Sequence, residues 1–302
     1  MHTSGLAIYD QSSVPRGEHG GQPWHAPYNG WLGTVPRPGR LLPPVYDPCH
    51  QLPTDDVRSR RIPGLPAGEP RGTTQRLRGF QVSIKPPALT LALTDGARAL
   101  GDAAILQLAA PFLRRMPGAR SKHSVMVIPG FLGDDRGNGP LIRYLRRLGY
   151  RVTGWKQGRN LGPDSFTEAS LQAALEPLIE AGGGKVSLVG HSLGGIYARE
   201  IARSEPDRVN QVITLGSPFG RGHAEASHAN RLYKQLNPER NPRDNNDIMS
   251  IPPPVPTTAI YTKADGVVNW RTSMQQGEYP HVHNIEVPGS HIGLNVNAAV
   301  WY

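Results

Sequence analysis

Cysteine is nearly absent: the 302 residues carry one, Cys49. That excludes a disulfide framework within the chain and any Cys-rich zinc module. A chain of this length can bury a core without such staples. No uninterrupted apolar run approaches the ~20 residues that span a bilayer as a helix. The first ten residues show neither the basic nor the apolar segment of a secretory signal, so a cytoplasmic location is expected. Nor is there a dense basic run with interleaved aromatic residues, although the formal net charge is +9. Arginine far outnumbers lysine along the whole chain. The charge therefore reads as compositional bias, and no nucleic-acid partner is expected.

Proline and glycine are abundant and unevenly placed. Residues 1–80 hold 12 of the 30 prolines and 11 of the 35 glycines. Proline fixes φ and removes amide donors, so these stretches cannot build a sheet ladder. They also have too few apolar side chains to offset the entropy of ordering. Residues 1–84 are expected to form a disordered leader. A Pro-rich docking arm and a natural start near residue 82 are the alternative readings. Residues 85–302 then form one catalytic domain.

Residues 89–113 are rich in Leu and Ala at helical spacing, interrupted by Asp95, Arg98 and Asp102. The charges argue against a membrane span and for one or two amphipathic helices packed on the domain. Peripheral membrane contact through this stretch stays open. From residue 122 strands and helices alternate. Apolar strands are expected at 124–128, 150–155, 185–189, 209–215, 257–262 and 282–287, with helices at 140–148, 165–181 and 193–204. Repeated βα units with near-continuous apolar strands imply an α/β fold, a mostly parallel central sheet with helices on both faces. Residues 220–256 are polar and too long for an ordinary connection.

Gly190-His191-Ser192-Leu193-Gly194 has the form G-x-S-x-G and stands where an apolar strand runs into a helix. In that setting a tight, strained turn pushes the serine hydroxyl out of the sheet. The helix N-terminus brings free amides to the reacting oxygen. A hydroxyl needs a base, and the base needs an orienting acid. Asp265 stands just past the carboxyl end of a predicted strand, where such sheets present their sites; Asp247 and Glu278 are weaker rivals. The base comes from His281, His283 and His291. The first two would share one face of a strand. His291 lies in a loop after a strand and can fold back toward Ser192. Two backbone amides are needed to stabilise a developing oxyanion. Leu193 is expected to supply one and Phe131, in the loop 129–133, the other. Phe131, Leu132 and His191 are expected to line the substrate site. Activity on short esters should rise as His291 loses its proton, around ~6.5 for an unperturbed imidazole.

Taken together, the segments 127–133, 190–195, 215–218, 264–268 and 289–291 resemble a bacterial lipase/esterase of the α/β-hydrolase superfamily over residues 122–302. The usual His-Gly before the oxyanion residue is Pro129-Gly130 here. Only 11 residues follow His291, so the terminal helix that usually packs on the sheet is expected to be short or missing. The resemblance implies a serine carboxylic-ester hydrolase with Ser192 as nucleophile, His291 as base and Asp265 as orienting acid, acting through an acyl-enzyme. It implies no metal or organic cofactor, and a small-molecule acyl ester or lipid as substrate. Residues 220–256 occupy the usual place of a cap. Their polarity tilts the expectation toward soluble or modest-length acyl esters. An acyltransferase with the same triad, and a non-catalytic binding protein on the same fold, are the alternatives.

Overall fold

A computed structural model describes residues 84–119, 123–223, 226–238 and 246–302. The expected leader, residues 1–84, lies outside them apart from Ile84. Six strands form one wholly parallel sheet: β1 (Ser124–Ile128), β2 (Arg151–Gly154), β3 (Val186–His191), β4 (Val209–Leu215), β5 (Thr257–Tyr261) and β6 (Val282–Glu286). Their order across the sheet is β2-β1-β3-β4-β5-β6. The expected α/β-hydrolase architecture is present.

Side chains alternate along a strand, and here both faces are covered. All five residues of β1 are buried. Val125 and Val127 enter one core with Leu141, Leu145 and Leu294. Met126 and Ile128 enter the other with Leu171, Leu188 and Ile196. The first core is closed by α1 (Leu89–Leu113), α2 (Gly139–Arg147) and α7 (Ala298–Trp301). The second is closed by α3 (Glu168–Ala181), α4 (Leu193–Ser204) and α6 (Asn246–Ser250). A seven-residue helix, α5 (Asn230–Leu236), stands between β4 and α6 in the chain. The edge strand β6 is mostly exposed, as an edge with only one neighbour can be.

Two expected helices differ in detail. The helix expected from residue 165 starts at Glu168, because Thr167 and Ser170 form a capping box and Pro163–Ser165 closes a separate 3₁₀ turn. The 89–113 segment is one continuous helix, with Pro111 inside its final turn. Its charges are not on the solvent side: Asp95 and Asp102 are both buried. The short terminal helix α7 is capped by Asn297, which accepts from the Ala299 and Val300 amides. Trp301 stacks on Tyr144 of α2 at 4.6 Å between ring centroids.

Leu188 sits in the middle of the sheet and is fully buried. Leu188→Ala should cost ~2–5 kcal/mol through lost transfer energy and a residual cavity, read as a lower midpoint in urea unfolding.

Candidate active site

The carboxyl ends of β1, β3, β5 and β6 all point to one edge of the sheet, and the sequence-predicted site residues gather there. Strand β3 ends at His191 and α4 begins at Leu193, so the turn between them is Ser192 alone, with φ 50° and ψ −119°. A non-glycine residue in this region carries a strain of roughly 1–3 kcal/mol. The neighbours make the turn obligatory. A Cβ on Gly190 would collide with the backbone of Gly194 and Gly195, and one on Gly194 with the carbonyls of Ile128 and Pro129. The Ser192 amide donates to the Leu215 carbonyl at 2.8 Å, tying the turn to β4.

Asp265 follows β5 and is buried. One carboxylate oxygen, Oδ1, accepts from the Val267 and Val268 amides at 2.9 and 2.8 Å. The other, Oδ2, lies 2.6 Å from His291 Nδ1. An ionised carboxylate can only accept, so Nδ1 carries the hydrogen. Burial works against a charged His291, but the charge and hydrogen bond of Asp265, with a smaller contribution from Asp95, outweigh it and raise the imidazole pKa above its ordinary value. His191, beside Ser192, donates from Nε2 to the His291 carbonyl at 2.9 Å, and the two rings lie 5.2 Å apart. Desolvation, and then the neighbouring His291, lower the His191 pKa to about 4. His191 is thus a neutral strut under the His291 loop.

Phe131, Ser192, Leu193, Ile196, Tyr233 and Met249 line a mostly apolar cavity of about 80 Å³. His223 and Asn230 also reach it, so described residues from the 220–256 range help line the site. The Phe131 ring meets Tyr233 of α5 edge-on at 5.5 Å. Leu132, expected to touch substrate, is 44% exposed and outside this cavity, as is His191. Among the weaker rivals, Glu278 and His283 are exposed, and His281 donates to the Pro253 carbonyl at 3.1 Å. The Asp247 side chain lies outside the described ones. Among the described residues no group of three or more His, Cys, Asp and Glu is placed to hold a metal ion.

The sequence pattern of the alpha/beta hydrolase family matches residues 117–290, more than half of the chain. The chain belongs to the alpha/beta hydrolase family. The chain also aligns with solved structures of low identity. A thioesterase domain from the curacin biosynthetic pathway is 18% identical, with a TM-score of 0.43 over 61% of this chain and 90% of that one. The pyrethroid hydrolase PytH is 18% identical, with a TM-score of 0.41 over 59% and 93%. A monoacylglycerol lipase from Paleococcus ferrophilus is 16% identical, with a TM-score of 0.40 over 58% and 88%.

In this alpha/beta hydrolase three polar residues that carry no motif hold the site together. Asn160 is fully buried and organises the loop after β1. Its side chain donates to the Pro129 carbonyl at 2.8 Å, its amide donates to Gly133, and its carbonyl accepts from Leu132. That fixes the strained Leu132, at φ 65°, and with it the neighbouring Phe131. Asp95 and Asp102 reach in from α1. Asp95 accepts from the amides of Gly266, His291 and Ile292 at 2.9, 3.1 and 2.9 Å. Asp102 accepts from the Ser290 amide and hydroxyl at 2.9 and 2.6 Å. The one sequence signal was available: Asp95 and Asp102, seven apart, share a helix face. Asn160 had none.

Asn160→Ala should leave the far-ultraviolet circular dichroism unchanged, because its side chain bonds only loop backbone, the Pro129 carbonyl and the Gly162 amide. If the Phe131 amide is an oxyanion donor as the sequence leads one to expect, turnover of a hydrolysable acyl substrate should fall by about tenfold or more, with the loss in kcat rather than KM, since such donors act on the transition state.

Proposed function

We propose that the protein is a serine carboxylic-ester hydrolase. The observation that carries this reading is the buried 2.6 Å pair of Asp265 and His291, whose carbonyl is bonded by His191, the residue before a serine held in a strained strand-to-helix turn. Asp265 occupies Nδ1 of His291 and fixes the tautomer, so Nε2 is the nitrogen left to act as base. Nε2 takes the hydroxyl proton as Ser192 Oγ bonds to the acyl carbon. The carbonyl electrons move onto the oxygen, facing the amides of Leu193 and Phe131. As the tetrahedral adduct collapses, the bond to the alcohol breaks and His291 returns the proton to it. Water then repeats the sequence on the acyl-enzyme: His291 takes its proton, its oxygen bonds to the acyl carbon, and Ser192 leaves with the proton restored.

The cavity of about 80 Å³ beside Ser192, lined by Phe131, Leu193, Ile196 and Met249, suits a short acyl chain. This favours soluble, short-chain esters as the substrate class. A p-nitrophenyl ester series should show kcat/KM highest for short acyl groups and falling as the chain lengthens. Ser192→Ala should reduce turnover of the best ester by roughly 10³-fold or more. A variant that keeps wild-type turnover contradicts the reading.

The base must be neutral to act, so kcat/KM rises as pH rises through the His291 pKa. That pKa is raised in the folded protein. The midpoint of the acidic limb should therefore lie above the ~6.5 of a free imidazole. A stopped-time ester assay across the acid-to-neutral range checks this, and a midpoint below that of free imidazole contradicts it.

A further inference from the structure

Helix α1 is amphipathic in the reverse sense. Its three charged residues turn toward the domain: Asp95 and Asp102 are buried, and Arg98 is paired with Asp95 at 3.0 Å. Its solvent face is mostly apolar. Leu89, Leu93, Leu100, Ile105, Leu108 and Phe112 are 65, 77, 74, 57, 83 and 56% exposed. Every exposed residue from Leu93 to Phe112 is uncharged. At ~100° per residue these positions cover about half the circumference of a helix about 37 Å long. A largely apolar strip of that size on a folded protein, interrupted by the uncharged Thr94 and Gln107, marks an interaction surface.

Two features select the partner. The strip is far wider than the narrow seam that a single partner helix buries, so it fits a broad, yielding surface better than one knob-and-hole contact. Both ends are basic. Lys85 precedes the helix, Arg114 and Arg115 follow it, and all three are exposed. An apolar helix face with cations at its margins matches a layer that is apolar within and anionic at its headgroups. No helix of the described residues is long and apolar enough to cross a membrane, and the inward charges of α1 would forbid insertion. We propose that α1 docks this protein on anionic lipid surfaces, lying in the plane of the interface with its apolar face toward the acyl chains.

The proposal does not depend on the hydrolase reading, because binding is measured without turnover. It does give the inner face of α1 a second meaning. Asp95 and Asp102 hold the loops of Asp265 and His291, so the docked helix carries the site with it.

The test is flotation of the full-length protein with phosphatidylglycerol-containing vesicles and with pure phosphatidylcholine vesicles, at low and high salt. The protein should float with the anionic vesicles and less at high salt. A variant with Leu93→Gln, Leu100→Gln and Leu108→Gln should lose binding by about tenfold or more while keeping its circular dichroism and its turnover of a soluble ester. Arg114→Gln with Arg115→Gln should narrow the difference between the two lipids. Three results would overturn the proposal: no flotation of the wild type, binding by the triple-glutamine variant equal to wild type, or equal binding to both lipids. A stable dimer that the same leucine changes dissociate would also overturn it, assigning the face to a second copy of the chain.

Discussion

A buried hydrogen bond of 2.6 Å between Asp265 and His291 sets the demands that the surrounding structure meets. A carboxylate removed from water must be compensated on every side. Asp265 is: two amides of its own loop fill one oxygen and the imidazole fills the other. The imidazole in turn must stay in register with a loop that belongs to a different strand. That register comes from His191 below the loop and from Asp95 and Asp102 on the helix beside it. The second carboxylate layer lies outside the part of the chain that matches the family pattern, since α1 ends at Leu113 and the match begins at residue 117. The helix that precedes the family's fold is therefore built into its site.

The strained serine belongs to the same account. Its backbone conformation is unfavourable alone and persists because the packing of Gly190 and Gly194 leaves no other path for the chain. The energy comes from the sheet, whose central strands are buried on both faces. Stability of the sheet and geometry of the turn are thus one property. Arg199 extends it to the cover of the cavity: fully buried on α4, it donates to the carbonyls of Met249 and Ile251 and to Gln275 Oε1.

The sheet was legible because its strands are apolar on both faces and short, and the six strands expected appear within a few residues of their places. Ser192, Asp265 and His291 could be singled out as candidates because each stands in a turn or loop that follows a predicted strand, and the structure gathers them at one edge of the sheet. What was not legible depends on contacts between distant segments. Asn160 meets Pro129 across 31 positions and Asp95 meets His291 across 196; no local spacing encodes either. The orientation of α1 was hidden for a related reason. Charges in a helical run ordinarily face water; the amides of Gly266, Ser290, His291 and Ile292, with the Ser290 hydroxyl and Arg98, explain why Asp95 and Asp102 face inward. Leu132, outside the cavity, has the positive φ of 65° that the local sequence did not signal.

In the proposed reaction Ser192 bonds to the acyl carbon, and peptide mass mapping after reaction with a fluorophosphonate checks this. A single phosphonyl adduct is expected on the peptide that contains Ser192, formed much more slowly in an Asp265→Ala protein that keeps its fold. An adduct on a different residue, or none on a folded wild-type protein, would contradict it.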